Sequence, residues 1–102
     1  MAVRIIWSPL ARKDLKEVGA HIRKHNPSAA KTFLWSLNEK VELLVDFPEL
    51  GRVVAEEEDP TVREVIYRSY RIVYLYASAN KTIQIIRVWH SARGEPEFES
   101  QA

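Results

Sequence analysis

The hydrophobic residues of this chain keep a helical period in its first half and a strand period in its second. A short run, Val3 to Trp7, reads as a first strand. Ser8-Pro9 then offers an N-cap hydroxyl followed by proline at the first helical position, where the missing N–H costs nothing. Ala11, Leu15, Val18 and Ile22 recur at spacings of four, three and four, which predicts an amphipathic helix with Arg12, Lys13, Lys16, Arg23 and Lys24 mostly off its apolar face. Asn26-Pro27 repeats the start signal, and Ala30, Phe33, Leu34, Leu37, Val41, Leu44 and Val45 form a stronger second stripe. Phe47-Pro48 ends it, because proline disfavours the helical region for the residue before it.

Leu50-Gly51 opens a polar loop that runs to Pro60. Beyond it the period becomes two: Val62 to Tyr67, Tyr70 to Tyr76 and Thr82 to His90 are rich in Val, Ile, Tyr and Trp and read as three consecutive antiparallel strands. A helical hairpin with two apolar stripes covers one face of such a sheet. The predicted fold is therefore a two-layer α+β domain in the order β-α-α-β-β-β, with a mainly antiparallel sheet. Residues 1–93 form this single domain, and 94–102 are expected to be an extended or mobile tail.

Composition narrows the function classes. The chain has 102 residues, 46% of them hydrophobic, enough for one small core. It carries no cysteine, which excludes disulfides. The apolar runs are too short to span a bilayer and no leader-like segment opens the chain, so a soluble, unexported, cytoplasmic protein without membrane contact is expected. No cofactor is indicated. His21 and His25 lie four apart on the first helix, a spacing zinc can use, but with no third ligand nearby they read as surface residues and no metal is expected.

The net charge of +1 conceals an uneven distribution. From Pro60 to Arg93 stand Arg63, Arg68, Arg71, Lys81, Arg87 and Arg93 against the single acid Glu64. The acids gather outside this segment, in Glu56-Glu57-Glu58-Asp59 before it and in Glu95, Glu97 and Glu99 after it. On the middle strand Tyr70, Ile72, Tyr74 and Tyr76 share one face and Arg71, Val73 and Leu75 the other. The turn at Ala77 to Lys81 sets Arg71 opposite Arg87 or Val88. Like charges so placed need either a diagonal register or an anion between them.

Each arginine has an ordinary alternative: solvation, a partner such as Glu64, or a stem laid along a tyrosine ring. As a group with Arg52 after the loop glycine and Arg93 past the last strand, they make the better case for an anion-binding surface, because guanidinium forks suit phosphate and carboxylate. His90 is the one histidine near them. It is placed either to take a proton from a ribose 2′-hydroxyl or, more plainly, to pack its ring and bond to backbone. Trp7 is assigned to the core, and Trp35, at the edge of its stripe, to a partly exposed place suited to a partner.

WSPLARKDL at 7–15, NPSAAKTF at 26–33, FPELGR at 47–52, VREVIYRSYRIVYLY at 62–76 and IIRVWHSAR at 85–93, in this order and spacing, resemble the RelE/ParE toxin superfamily and most closely its ParE-like branch, which includes plasmid stabilisation proteins. The resemblance implies the toxin of a type II toxin–antitoxin pair. A cognate antitoxin would wrap the helices and sheet with its C-terminal segment and bind operator DNA with its N-terminal part. ParE-like members poison DNA gyrase, whereas RelE-like members cleave mRNA in the ribosome. In the nuclease branch Arg71, Arg87, His90 and Arg93 would be the catalytic cluster. In either branch Arg52, Arg63, Arg71, Arg87, His90 and Arg93 would form the toxicity or binding surface. The chain departs from the nuclease pattern: Glu56, Glu57, Glu58 and Asp59 stand where RelE-like enzymes carry lysines, and the chain ends on Phe98 and acids rather than a base-stacking tyrosine. Gyrase inhibition is the favoured expectation, ribosome-dependent cleavage of mRNA the alternative, and a non-toxic partner that only binds the antitoxin a third.

Overall fold

The computed structural model describes residues 3–94 and Pro96. Strand β1 (Arg4–Trp7) leads into helices α1 (Pro9–His25) and α2 (Pro27–Asp46), followed by β2 (Arg52–Val53), β3 (Val62–Tyr67), β4 (Tyr70–Ala77) and β5 (Thr82–His90). The five strands form one sheet in the order β1-β5-β4-β3-β2, with β1 parallel to β5 and the other pairs antiparallel. This is the predicted α+β architecture, with one strand added. Two residues of β2 are too few to show a period, so the sequence reads them as loop. Because β1 and β2 lie on opposite edges, the helical hairpin that joins them crosses the sheet.

Both helices start where the polar caps stand. The Ser8 hydroxyl accepts the Ala11 N–H at 3.0 Å, and the Asn26 side-chain carbonyl accepts the Ala29 N–H at 3.1 Å, each ahead of a proline. Ser8 also donates its hydroxyl proton to the Ile86 carbonyl at 2.9 Å, which anchors the β1–α1 corner to the middle of β5. The core between helices and sheet joins Ala11, Leu37, Val41 and Leu44 to Val65, Ile72, Tyr74, Ile83, Ile85 and Val88. On the helix-free face Val54, from the loop after β2, closes a second small cluster with Val62, Val73 and Ile86. Trp7 is half-buried against the main core, as expected, and Trp35 is 63% exposed.

The register of β4 on β5 corrects the sequence-based expectation. Ala77 pairs with Thr82, and an unbroken ladder from there would set Arg71 opposite Val88. A bulge intervenes: Tyr74 pairs with Ile85 but Val73 with Arg87, leaving Ile86 as the extra residue. Arg71 therefore faces Trp89, and Arg87 faces Val73. The expected tail from Gly94 to Ala102 lies, apart from Gly94 and Pro96, outside the described residues, as does Phe98.

The turn between α2 and β2 is held from inside the sheet. The buried Tyr74 hydroxyl donates to the Pro48 carbonyl at 2.8 Å and accepts the Gly51 N–H at 2.9 Å. Burial pushes the Tyr74 hydroxyl pKa above its ordinary value. A Cβ on Gly51 would stand 2.6 Å from the Glu64 carbonyl oxygen and 2.7 Å from the tyrosine ring and hydroxyl. Gly51→Ala is therefore expected to cost about 1–3 kcal/mol through overpacking, measured as a lower urea midpoint. An unchanged midpoint would mean that the turn can move off Tyr74 freely.

Candidate functional site

Glu64 is the centre of the charged surface on the helix-free face. It sits on β3 with its side chain only 2% exposed, next to β2 on one side and β4 on the other. Arg52 of β2 donates Nε to its Oε2 at 2.8 Å, and Arg71 of β4 donates Nε to its Oε1. The two terminal nitrogens of Arg71 bond both oxygens of Glu56 at 3.0 and 2.8 Å, a fork-to-fork pair reached from the loop after β2. Arg71 is thus 12% exposed, with each guanidinium nitrogen on a carboxylate. The Arg71 bond holds the Glu56 carboxyl below the usual carboxylate range, and the same bond raises the arginine further above its own. These side chains line a groove of about 410 Å³ together with Val53, Ala55, Ile66 and Ser91.

The other predicted cations are distributed elsewhere. Arg87 donates to both oxygens of Asp14 on α1, at 2.8 and 2.9 Å. The same carboxylate accepts the Val88 N–H at 2.9 Å, in the part of β5 beyond its last pairing with β1, Trp7 with Ile85. Trp89 carries two guanidiniums near its ring, Arg87 at 4.8 Å and Arg93 at 3.9 Å from the centroid, and donates its indole N–H to the Gly94 carbonyl at 3.1 Å. Arg63 does not join the surface. Its side chain shares the opposite face with Tyr74 and bonds the Gly51 carbonyl at 2.7 Å and Glu49 at 3.5 Å, bracing the turn.

His90 also lies away from Arg71. It pairs across the ladder with Tyr70, whose neighbours Ile72 and Tyr74 face the helices, whereas Arg71 points to the helix-free side. Its ring stands edge-on to Tyr70 at 5.0 Å, and Nδ1 accepts the Ala92 N–H at 3.1 Å. With Asp14, Glu17, Val18, His21, Val88 and Arg93 it lines a small cavity of about 150 Å³ against α1. The sheet thus brings together Arg52 and Arg71 on one side, and Arg87, His90 and Arg93 around the end of β5. It does not assemble all six. His21 and His25 are exposed on α1 with ring centroids 5.6 Å apart, and among the described residues no three potential ligands converge on a metal position.

Two carboxylates central to this arrangement escape a reading of charge alone. Asp14 was visible only as a polar residue three after Ala11 and four before Val18, on the buried stripe of its helix, a position that demands a partner. Glu56 stood in an acidic run whose fold no period specifies. A further cleft, about 490 Å³, opens between the helices, floored by Trp7, Leu15, Gly19, Leu34 and Leu37 and rimmed by Lys16, Arg23 and Asn38.

Solved structures share this fold. The chromosomal ParDE toxin–antitoxin system from P. aeruginosa contains a chain that superposes with a TM-score of 0.70 at 25% identity, covering 86% of this chain and 95% of that one. A chain of the toxin–antitoxin complex RelBE2 from Mycobacterium tuberculosis gives 0.60 at 20% identity, covering 88% and 99%. Toxin RelE2 of Caulobacter vibrioides is 27% identical over 90 residues, 88% of this chain and 97% of that protein. The class is therefore that of the small α+β toxins of toxin–antitoxin modules. Residues 5–94 match the family model described as the ParE toxin of the type II toxin–antitoxin system parDE, and the chain belongs to that family.

Asp14 gives the test of this geometry. Asp14→Ala removes the buried carboxylate that Arg87 and the Val88 N–H share, and is expected to cost about 3 kcal/mol in chemical denaturation. A loss under about 1 kcal/mol would mean that the pair behaves as an exposed one.

Proposed function

We propose that this toxin arrests growth by inhibiting DNA gyrase in the cytoplasm and is neutralised by a cognate antitoxin. The ParE family match supports the first part, since gyrase is the target that the resemblance to the ParE-like branch implies. The observation that carries the choice between targets is the separation of Arg71 from His90 on opposite faces of the sheet. An RNA-cleaving site needs its base and its phosphate-binding cations within reach of one scissile group, at hydrogen-bond distances of about 3 Å. Here Arg71 is occupied by Glu56 and Glu64, and Arg87 bonds Asp14. A protein target asks less of the chain: a shaped surface with the exposed cations Arg52 and Arg93 at its margins.

Two features support the antitoxin. The related solved assemblies are toxin–antitoxin systems by their own description. The cleft between the helices offers apolar walls rimmed by Lys16 and Arg23, which suits an amphipathic segment with acidic flanks. Any contact with operator DNA then runs through the antitoxin.

The expected result is loss of supercoiling by purified gyrase on adding this protein, with mRNA intact in a parallel translation reaction on ribosomes. Arg93→Ala should keep the fold and weaken inhibition by about fivefold, the order of one charge-assisted contact. Cut mRNA with unaffected gyrase would overturn the reading in favour of the ribosome.

A further inference from the structure

The loop between β2 and β3 has a construction that neither target explains. Its N-terminal end is pinned by the fully buried Val54, whose N–H bonds the Val62 carbonyl at 3.2 Å and whose carbonyl accepts the Glu57 N–H at 3.1 Å. Its C-terminal end is pinned by Asp59, whose carboxylate takes the Thr61 N–H at 2.9 Å and the Thr61 hydroxyl at 2.6 Å. Between these points Ala55, Glu56 and Glu58 are exposed. Of the three consecutive glutamates, Glu56 is the one bonded to the sheet, with both oxygens on Arg71.

We propose that Glu56 is a built-in latch: its carboxylate fills the anion seat of Arg71, and the groove accepts an outside anion only when residues 55–58 swing away. The inference goes beyond the choice of target and says how the groove lined by Arg52 and Arg71 is closed. The seat is a complete one. Arg71 Nε stays on the buried Glu64, so when Glu56 leaves, the two terminal nitrogens remain aimed as a fork of fixed orientation. Arg52 stands across Glu64 with its side chain 68% exposed, held only through Nε, and supplies a second cation. Val53 and Ile66, both exposed, give the groove apolar sides.

The closed state is favoured by geometry as well as charge. Both ends of the loop are fastened to folded backbone, so Glu56 meets Arg71 as an intramolecular partner that forfeits little entropy, and a free anion must compete with a high local concentration. The depressed pKa of Glu56 agrees with a carboxylate held charged by that contact. Removing its charge opens the seat, whereas removing the charges of Glu57 and Glu58 leaves it filled.

The test uses inorganic pyrophosphate as the probe, followed through the backbone amide shifts of Ile66, Arg71 and Ser91, for the unaltered chain, Glu56→Gln, and the double variant E57Q/E58Q. The latch predicts binding at these amides roughly tenfold tighter in Glu56→Gln, with E57Q/E58Q unchanged although it loses more negative charge. Equal affinity in all three proteins would overturn it. So would tightening in E57Q/E58Q to match Glu56→Gln, since net charge would then be the cause. Supercoiling by gyrase, measured with the same proteins, reads the target separately: a shift confined to Glu56→Gln with no inhibition by any protein upholds the latch and removes the gyrase reading.

Discussion

The bulge at Ile86 decides which residues of β5 stand opposite Arg71 and Val73. One extra residue in β5 moves the pairing by a position, so that Arg71 meets Trp89 and Val73 meets Arg87. Ser8 holds the carbonyl of the bulged residue with the same hydroxyl that caps α1, and Asp14, two turns into that helix, takes the Val88 N–H just beyond. Helix α1 and the bulge thus hold each other in place. Beyond Trp7 the first strand no longer covers β5, and the carboxylate of Asp14 stands where a neighbouring strand would have bonded.

The surface neutralises itself. The basic segment read from the chain is real, yet its two least exposed arginines, Arg71 and Arg87, lie on internal carboxylates brought from distant places: Glu64 from the next strand, Glu56 from the loop, Asp14 from the first helix. Burying guanidiniums in pairs costs desolvation and yields orientation in return. In this chain Arg71 and His90 lie on different faces of the sheet. Arg52, largely exposed although bonded to Glu64, and the exposed Arg93 sit at opposite sides of the helix-free face.

Much of the fold was legible because its signals are local and repeated. Ser8-Pro9 and Asn26-Pro27 mark both helix starts, the two apolar stripes specify the hairpin, and alternation puts Tyr70, Ile72, Tyr74 and Tyr76 on one face, which the helices cover. The bulge was not legible, since nothing in IIRVW distinguishes the residue to be left unpaired, and one position of slip changes what Arg71 and Arg87 face across the ladder. The grouping of Arg63 with the others failed for a related reason. Sequence distance gives no face, and Arg63 alternates to the side of Tyr74, where it braces the Gly51 turn. Asp14 was readable in principle as a charge on a buried stripe. The role of Glu56 depends on a loop path that no local rule specifies.

The claim on which this account stands is that Arg71 is consumed by internal carboxylates while Arg93 is available. Hydrogen exchange of the arginine Nε protons, followed by nitrogen-resolved NMR on the unaltered chain, measures this most directly. The account predicts slow exchange for Arg71, bonded to the buried Glu64, and fast exchange for Arg93, which is exposed on the indole face. An Arg71 Nε proton that exchanges as fast as that of Arg93 would contradict it and return the sheet to an open basic surface.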